Sequence, residues 1–202
     1  MSDALGVILA GGQATRMGGG DKGLRSVAGK PLLAHVIDRL GPQVAGMALN
    51  ANGDPARFDM FALPVIPDSL PDWPGPLAGV LAGMDWAEAQ GAEAVVSVAA
   101  DTPFFPHDLI ARLQAAAGPS GLALAGSRME GKLWRHPTFG LWPVALRDDL
   151  RSALQGGLRK VVLWTDAHGA GCAEFASDPF DPFFNINTPE DIGTAEELVR
   201  QA

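Results

Sequence analysis

The amino-acid sequence predicts an α/β fold built on a doubly wound, mostly parallel sheet. Three observations carry that expectation. Short apolar runs alternate with longer segments of helical period through the first half of the chain. One run, Ala94 to Ala99, is continuously apolar and carries Val95, Val96 and Val98, which suits a strand buried on both faces. A glycine-rich loop follows directly on the first predicted strand, where open α/β sheets bind ligands.

The elements follow in order. Gly6 to Leu9 reads as a strand and leads into the glycine loop. Leu32, Leu33, Val36, Ile37 and Leu40 share one face of a helix. Met47 to Asn50 and Pro64 to Ile66 read as the second and third strands, the latter short. Leu77, Val80, Leu81 and Met84 mark the next helix, Ala94 to Ala99 the next strand, and Leu109, Ile110, Leu113 and Ala116 another helix. The second half is less regular. Leu133 to Trp142 and Val161 to Trp164 read as strands, and Ala145 to Gln155 as a helix. The last helix has a clear start, with Thr188 at the N-cap, Pro189 at the first helical position and Asp191 three residues after the cap.

At 202 residues the chain is expected to form one domain with a core that needs no staples. A net charge of −8 argues against a general nucleic-acid binder, but not against nucleotides, which a few local cations can hold. The single cysteine, Cys172, excludes an internal disulfide and reads as a small buried apolar residue rather than a nucleophile. Met1-Ser2-Asp3-Ala4 does not read as a signal peptide, and no run approaches the roughly 20 apolar residues of a membrane span. The cytoplasm is the expected compartment.

The segment from Leu9 to Lys22 is the most informative. Gly11, Gly12, Gly18, Gly19 and Gly20 let backbone N–H groups approach a phosphate, and Arg16 and Lys22 supply positive charge. Lys22 is one of only four lysines in the chain. Placed in a glycine loop, it is expected to make few packing contacts. The dinucleotide fingerprint G-x-G-x-x-G is absent here. Gly126 to Lys132 matches the start of a P-loop, but Leu133 stands where a hydroxyl is needed, so the match reads as chance. Asp101 ends the Val95 to Ala100 run and Asp68 ends the Val65-Ile66-Pro67 run. Asp is common in caps and turns. Two of them on what read as neighbouring strand ends, beside a phosphate loop, point instead to metal and nucleotide binding, and Mg²⁺ suits one or two carboxylates plus phosphates. None of the four histidines has zinc-site spacing; His136, in His136-Pro137-Thr138, is the one that could face a second substrate.

With these residues in place, the chain resembles the molybdenum cofactor guanylyltransferases over nearly its whole length. The resemblance runs through Leu9-Ala10-Gly11-Gly12, Arg16-Met17-Gly18-Gly19, Asp21-Lys22, Asn50-Ala51-Asn52, Asp68, Gly75-Pro76-Leu77-Ala78-Gly79, Asp101-Thr102-Pro103, His136-Pro137-Thr138 and Asn185-Ile186-Asn187-Thr188-Pro189-Glu190. It implies a Rossmann-like nucleotidyltransferase fold, with residues 1–105 as the nucleotide half and 106–202 as the acceptor half. It also implies that Leu9, Ala10, Gly11, Gly12, Lys22, Asn50, Asp68 and Asp101 contact GTP, that Asp101 holds Mg²⁺, and that Lys22, Arg16 and Asp101 are catalytic. The implied partners are GTP, a molybdopterin-type cofactor and the maturation proteins of molybdoenzymes. The molybdopterin cytidylyltransferases, one alternative, resemble this loop but typically carry Leu-Ala-Ala-Gly where this chain has Leu9-Ala10-Gly11-Gly12. A CTP- or sugar-phosphate-using enzyme and a non-catalytic cofactor-delivery module are the alternatives. Guanine preference is expected to arise at Leu9 to Gly12 with Asn50, where glycines leave room for a purine edge.

Overall fold

The computed structural model describes residues 4–11, 21–70, 75–129 and 131–201. Arg16 and Gly12 lie outside these residues. In chain order the regular elements are β1 (Leu5–Leu9), β2 (Ser26–Val27), β3 (Lys30–Pro31), α1 (Leu32–Leu40), β4 (Gly46–Asn50), β5 (Val65–Ile66), α2 (Pro76–Ala89), β6 (Ala94–Ala99), α3 (Leu109–Ala115), β7 (Ala123–Met129), β8 (Lys132–Pro143), α4 (Arg147–Gln155), α5 (Val161–Ala167), β9 (Gly171–Ala176) and α6 (Pro189–Gln201).

Seven strands form one sheet in the order β5-β4-β1-β6-β8-β7-β9, and β2 pairs with β3 in a small hairpin. β1 runs parallel to β4 and β6, and β4 parallel to β5. Only β8 is reversed, pairing antiparallel with both β6 and β7, while β9 runs parallel to β7. The mostly parallel, doubly wound expectation therefore holds. Helices cover both faces, as a parallel sheet requires. On one face Ile8, Val96 and Val98 pack with Leu33, Val36 and Leu40 of α1 and Leu109 and Leu113 of α3. On the other, Val7, Val95, Leu124 and Trp142 pack with α2, α4 and α5. The α2 helix is apolar nearly all round because the sheet lies on one side of it and α4 on another.

One predicted element changes type. Val161 to Trp164 is the start of α5, not a strand. Val161, Trp164 and Thr165 are buried at helical spacing, Trp164 packs near Trp142 at 6.3 Å between ring centroids, and its indole N–H donates to Asp149 Oδ1 at 2.8 Å. Burial of that stripe outweighs the β preference of Val-Val. The helix read from Ala145 begins at Arg147, after a short 3-10 turn, Val144–Leu146. Strands β7 and β9 had no signal, because they are built of small residues where neighbours come close. A β-carbon at Gly126 would stand 2.9 Å from Cys172 Sγ and 3.0 Å from Leu133 Cδ1. Gly126 to Lys132 is thus strand, turn and strand, not a phosphate loop.

The start of α6 is as read. The Thr188 hydroxyl accepts from Asp191 N at 3.3 Å, and the Asp191 carboxylate accepts from Thr188 N at 2.8 Å and Asn187 N at 2.7 Å. This reciprocal box anchors the segment just before the helix.

The helix α2 lies against the carboxyl ends of β1 and β4 through Gly79, where a β-carbon would overlap the Asn50 amide and stand 2.9 Å from Leu9 Cδ2. Gly79→Ala gains about 1 kcal/mol of helix propensity but overpacks a filled contact at a cost of about 1–3 kcal/mol. Gly193 in α6 has no atom within 4 Å of its β-carbon position. Thermal melts are expected to show Gly79→Ala less stable than the parent and Gly193→Ala equally or more stable. Stabilisation by Gly79→Ala would show that the close approach relaxes freely.

Candidate functional site

Parallel pairing brings the carboxyl ends of β1, β4, β5 and β6 to one edge, and backbone bonds continue past the strands. Ala10 N donates to Asn50 O at 2.8 Å, Ala51 N to Ile66 O at 3.0 Å and Ala100 N to Leu9 O at 3.2 Å. A cleft of about 450 Å³ opens above this edge. Leu9, Gly11, Asn50, Asn52, Asp68, Gly75, Pro76, Ala99, Asp101, Thr138 and Asn185 line it. Leu9, Gly11, Asn50, Asp68 and Asp101, read from the sequence, thus come together, and buried Ala10 supports them from beneath. Gly11 is exposed, and a β-carbon there would meet no protein atom. The backbone at Gly11 therefore faces open cleft.

Asp68 and Asp101 do not stand on neighbouring strands. They follow β5 and β6, which β4 and β1 separate, so the two carboxylates flank the cleft from opposite sides. Each organises its own polar cluster.

On the Asp101 side, Lys22 is only 8% exposed. Its ammonium donates to Asp101 Oδ2 at 2.6 Å, to Asn185 Oδ1 at 3.1 Å and to Asn187 Oδ1. The expectation of few contacts at Lys22 is therefore wrong. A buried ammonium needs oxygen partners on all its donors, and here it has three. The nest is braced by the Ile186 N to Asp101 O bond at 2.9 Å, by Thr102 Oγ1 donating to Asp101 Oδ1 at 3.2 Å, and by the α6 box that holds Asn187.

On the Asp68 side, Asn50 is 5% exposed and donates from Nδ2 to Asp68 Oδ1 at 2.9 Å and to Ile66 O at 3.2 Å. Asn52 Nδ2 donates to Asp68 Oδ2 at 2.8 Å, and Asp68 N returns a bond to Asn52 Oδ1 at 2.9 Å. Each carboxylate oxygen thus accepts one amide hydrogen and keeps a lone pair for a ligand. The stretch after Asn52, silent as sequence, supplies Arg57, whose Nε pairs with Asp21 Oδ2 at 2.8 Å and whose Nη2 donates to Asn52 O at 2.5 Å. It ties the exit of the glycine loop to the Asp68 cluster.

The His136 motif reaches the cleft through Thr138, not through the histidine. His136 turns inward, stacks on Phe183 at 4.2 Å and bonds Ser127 Oγ through Nε2 at 2.7 Å. Burial pushes its imidazole below the ordinary histidine range against the opposing pull of Asp181. Cys172 is half-buried, and burial with Glu174 nearby raises its thiol, which agrees with a packing role. Asn52, Thr138, Asn185 and Asn187 are site residues that no single-residue signal assigned, although all lie in motif runs. Among the described residues no helix is long and apolar enough to cross a membrane.

The acceptors around Lys22 Nζ are all oxygen: one carboxylate and two amides. That set suits a hard cation such as Mg²⁺, which takes one carboxylate and leaves the rest of its sphere to phosphates and water. Asp101 is the residue that would hold it.

The profile of the MobA-like NTP transferase domain matches residues 6–169. A protein of Bradyrhizobium sp. named molybdenum cofactor guanylyltransferase is 52% identical over 198 residues, covering 96% of this chain and 92% of that protein. One of the same name from Cereibacter sphaeroides is 48% identical, covering 97% of each. Among solved structures, molybdopterin-guanine dinucleotide biosynthesis protein A from Archaeoglobus fulgidus superposes with a TM-score of 0.71 at 22% identity, over 98% of this chain and 100% of that one. A CMP:2-keto-3-deoxy-manno-octonic acid synthetase complexed with CTP gives 0.74 at 16% identity, over 99% of each chain. At such identities the structures speak for the fold alone, and the profile and the near-half-identical relatives speak for descent. The chain belongs to the MobA-like NTP transferase family, among the molybdenum cofactor guanylyltransferases.

Proposed function

We propose that this protein transfers GMP from GTP to the terminal phosphate of a molybdopterin-type cofactor, giving the guanine dinucleotide cofactor and pyrophosphate, with Mg²⁺ required. One observation carries the reading: the Lys22–Asp101 nest and the Asn50–Asp68 cluster face each other across a single cleft floored by the open backbone of Gly11. That cleft has a polyphosphate end and a base end.

An acceptor phosphate oxygen attacks the α-phosphorus of GTP in line. A new P–O bond forms as the bond to the β-phosphate bridging oxygen breaks, and pyrophosphate leaves with that electron pair. The nucleophile is already ionised and needs no general base. Such transfers depend on position and charge neutralisation. Lys22 holds its charge at the phosphate end, and Arg16 is proposed to act there with it. Gly11 and Gly12 let backbone N–H groups close on the phosphates. Mg²⁺, held by Asp101, would supply charge neutralisation across the phosphates. At the other end the two spare lone pairs of Asp68 match the N1–H and exocyclic amine of guanine, whereas cytosine offers only one such donor group on its pairing edge. A site built on those bonds can reject an analogue by about 10⁴-fold. Maturation proteins of molybdoenzymes are the proposed recipients of the product.

Pyrophosphate release with molybdopterin as acceptor is expected with GTP and to fall steeply with CTP or ATP. Equal kcat/KM for GTP and CTP would reject the guanine assignment and leave a broader nucleotidyltransferase. Asp101→Asn is expected to fold and to lose about 100-fold or more in turnover, several kcal/mol of transition-state stabilisation. Near-normal turnover would remove Asp101 from the metal assignment.

Lys22→Ala is expected to change stability as well as activity, because it leaves Asp101 and two amide oxygens without their donor. Unpaired buried groups cost about 1–3 kcal/mol, and each kcal/mol moves the Tm of a protein this size by about 2–4 °C. Mg²⁺ titrated without nucleotide should raise the Tm of Lys22→Ala more than that of the parent, since the oxygen nest is then vacant. An unchanged Tm in the variant would contradict the buried pair.

A further inference from the structure

Asp68 and Gly75 both line the cleft, and between them the chain leaves β5 and returns to open α2. Asn50 and Asn52 hold the Asp68 carboxylate from the side of β4. The next residue is held from elsewhere. The Ser69 hydroxyl donates to Asp85 Oδ2, on α2 more than two turns beyond its N-terminus. Asp85 is fixed in turn. Arg151 Nη2 of α4 reaches both its oxygens, at 2.6 and 2.8 Å, and Arg147 Nε lies 3.6 Å from Oδ1 with a second anchor on Glu88. The side chains of Asp85 and Arg151 are 28% and 31% exposed, so this network is shielded, and none of its members lines the cleft.

A short segment leaving a two-residue edge strand has little of its own to order it. β5 carries only the Leu49–Val65 and Asn50–Ile66 pairings, and both Val65 and Ile66 are half-buried. A carboxylate on such a segment would swing unless both flanks were tied. The asparagines tie one flank and Ser69 ties the other. The two ties differ in place: Asn50 and Asn52 hold Asp68 itself, by its carboxylate and, through Asn52 Oδ1, by its N–H, whereas Ser69, Asp85 and Arg151 hold the residue that follows it.

We propose that Ser69, Asp85 and Arg151 form a positioning clip for the nucleotide subsite, which holds Asp68 in register with Asn50 before any ligand arrives. The inference rests on the GTP reading for its ligand. The clip acts on binding and not on the reacting phosphates, which lie at the Asp101 end. Its loss should therefore raise KM and leave kcat in place.

The test compares Ser69→Ala, Ser69→Thr, Asp68→Ala and the Asp68→Ala/Ser69→Ala double variant. Ser69→Ala is expected to raise KM for GTP about 3- to 10-fold with kcat within about twofold, and Ser69→Thr, which keeps the hydroxyl, to restore the parent value. In the Asp68→Ala background the Ser69→Ala change should add nothing further, because the group it positions is gone. Independent, additive losses, or a loss in kcat with KM unchanged, would overturn the clip. Hydrogen exchange of the backbone amides of residues 68–70 in nucleotide-free protein supplies a readout free of the GTP reading. Exchange should quicken in Ser69→Ala and recover in Ser69→Thr, and unchanged exchange would overturn the clip as well. Failure of the parent to bind GTP, with exchange responding as stated, would remove the nucleotide assignment and leave the clip standing.

Discussion

A buried ammonium cannot stand without oxygen around it, and the placement of Lys22 dictates much of what surrounds it. Its three partners come from two distant parts of the chain: Asp101 after β6, and Asn185 and Asn187 before α6. Each must be delivered to within hydrogen-bond reach, and each delivery has a visible cause. The parallel ladder of β1 with β6 brings Asp101 to the edge where the glycine loop begins. The Ile186 N to Asp101 O bond brings the last segment across to the same point, and the Thr188–Asp191 box stops it there. The C-terminal segment thus joins the Lys22 nest, although 163 residues separate Asn185 from Lys22. The nest draws on residues from both sides of residue 105.

The second polar cluster depends on a different constraint, the closeness of α2 to the sheet. Asn50 is fully enclosed only because Gly79 has no β-carbon, and the same approach presses the helix against Leu9. Packing at one residue therefore bears on the orientation of an amide, and the amide on that of Asp68, a carboxylate that lines the cleft. The helix reaches the same carboxylate a second way, through Asp85 and Ser69. An element that looks like plain core in its sequence, with Leu77, Val80, Leu81 and Met84 buried, is in this way the support of a binding site.

What was legible in the sequence was what a local pattern can encode. The helical stripes of α1 and α2, the Val-rich β6 and the capping box of α6 each have a signal confined to a dozen residues, and each stands where it was read. Asp101 and Asp68 were found because a carboxylate at the end of an apolar run has a clear position at a sheet edge. The errors arise where neighbours in space decide. Val161 to Trp164 becomes helix because Trp142 and Asp149 receive Trp164. Alanine, glycine and serine make up about half of β7 and β9, which leaves no long apolar run, and their strand character comes from pairing with β8 and with each other. Strand order was likewise invisible, so Asp68 and Asp101 read as neighbours when two strands lie between them. The burial of Lys22 could not be read at all, since two of its three partners are asparagines with no individual signature.

An acidic chain that handles a polyanion poses an electrostatic question, and the pairing pattern answers it. With a net charge of −8, the protein has no broad positive field with which to draw phosphates in. Among the described residues, the cations at the cleft are neutralised on site: Lys22 by Asp101 and Arg57 by Asp21. Among the described residues the Asp68 carboxylate, which also lines the cleft, is held by amides alone, so these pairs leave no net positive charge there. In the proposed function, binding therefore rests on short-range terms: backbone N–H groups at Gly11, oriented side chains at Asn50 and Asp68, and cations for which a correctly placed phosphate competes with their present partners. Such a site gives up some affinity to gain selectivity, because a ligand that fits one end alone satisfies only part of it. The ion pairs at the cleft are then a filter on what may enter as much as a brace for the loops that carry them.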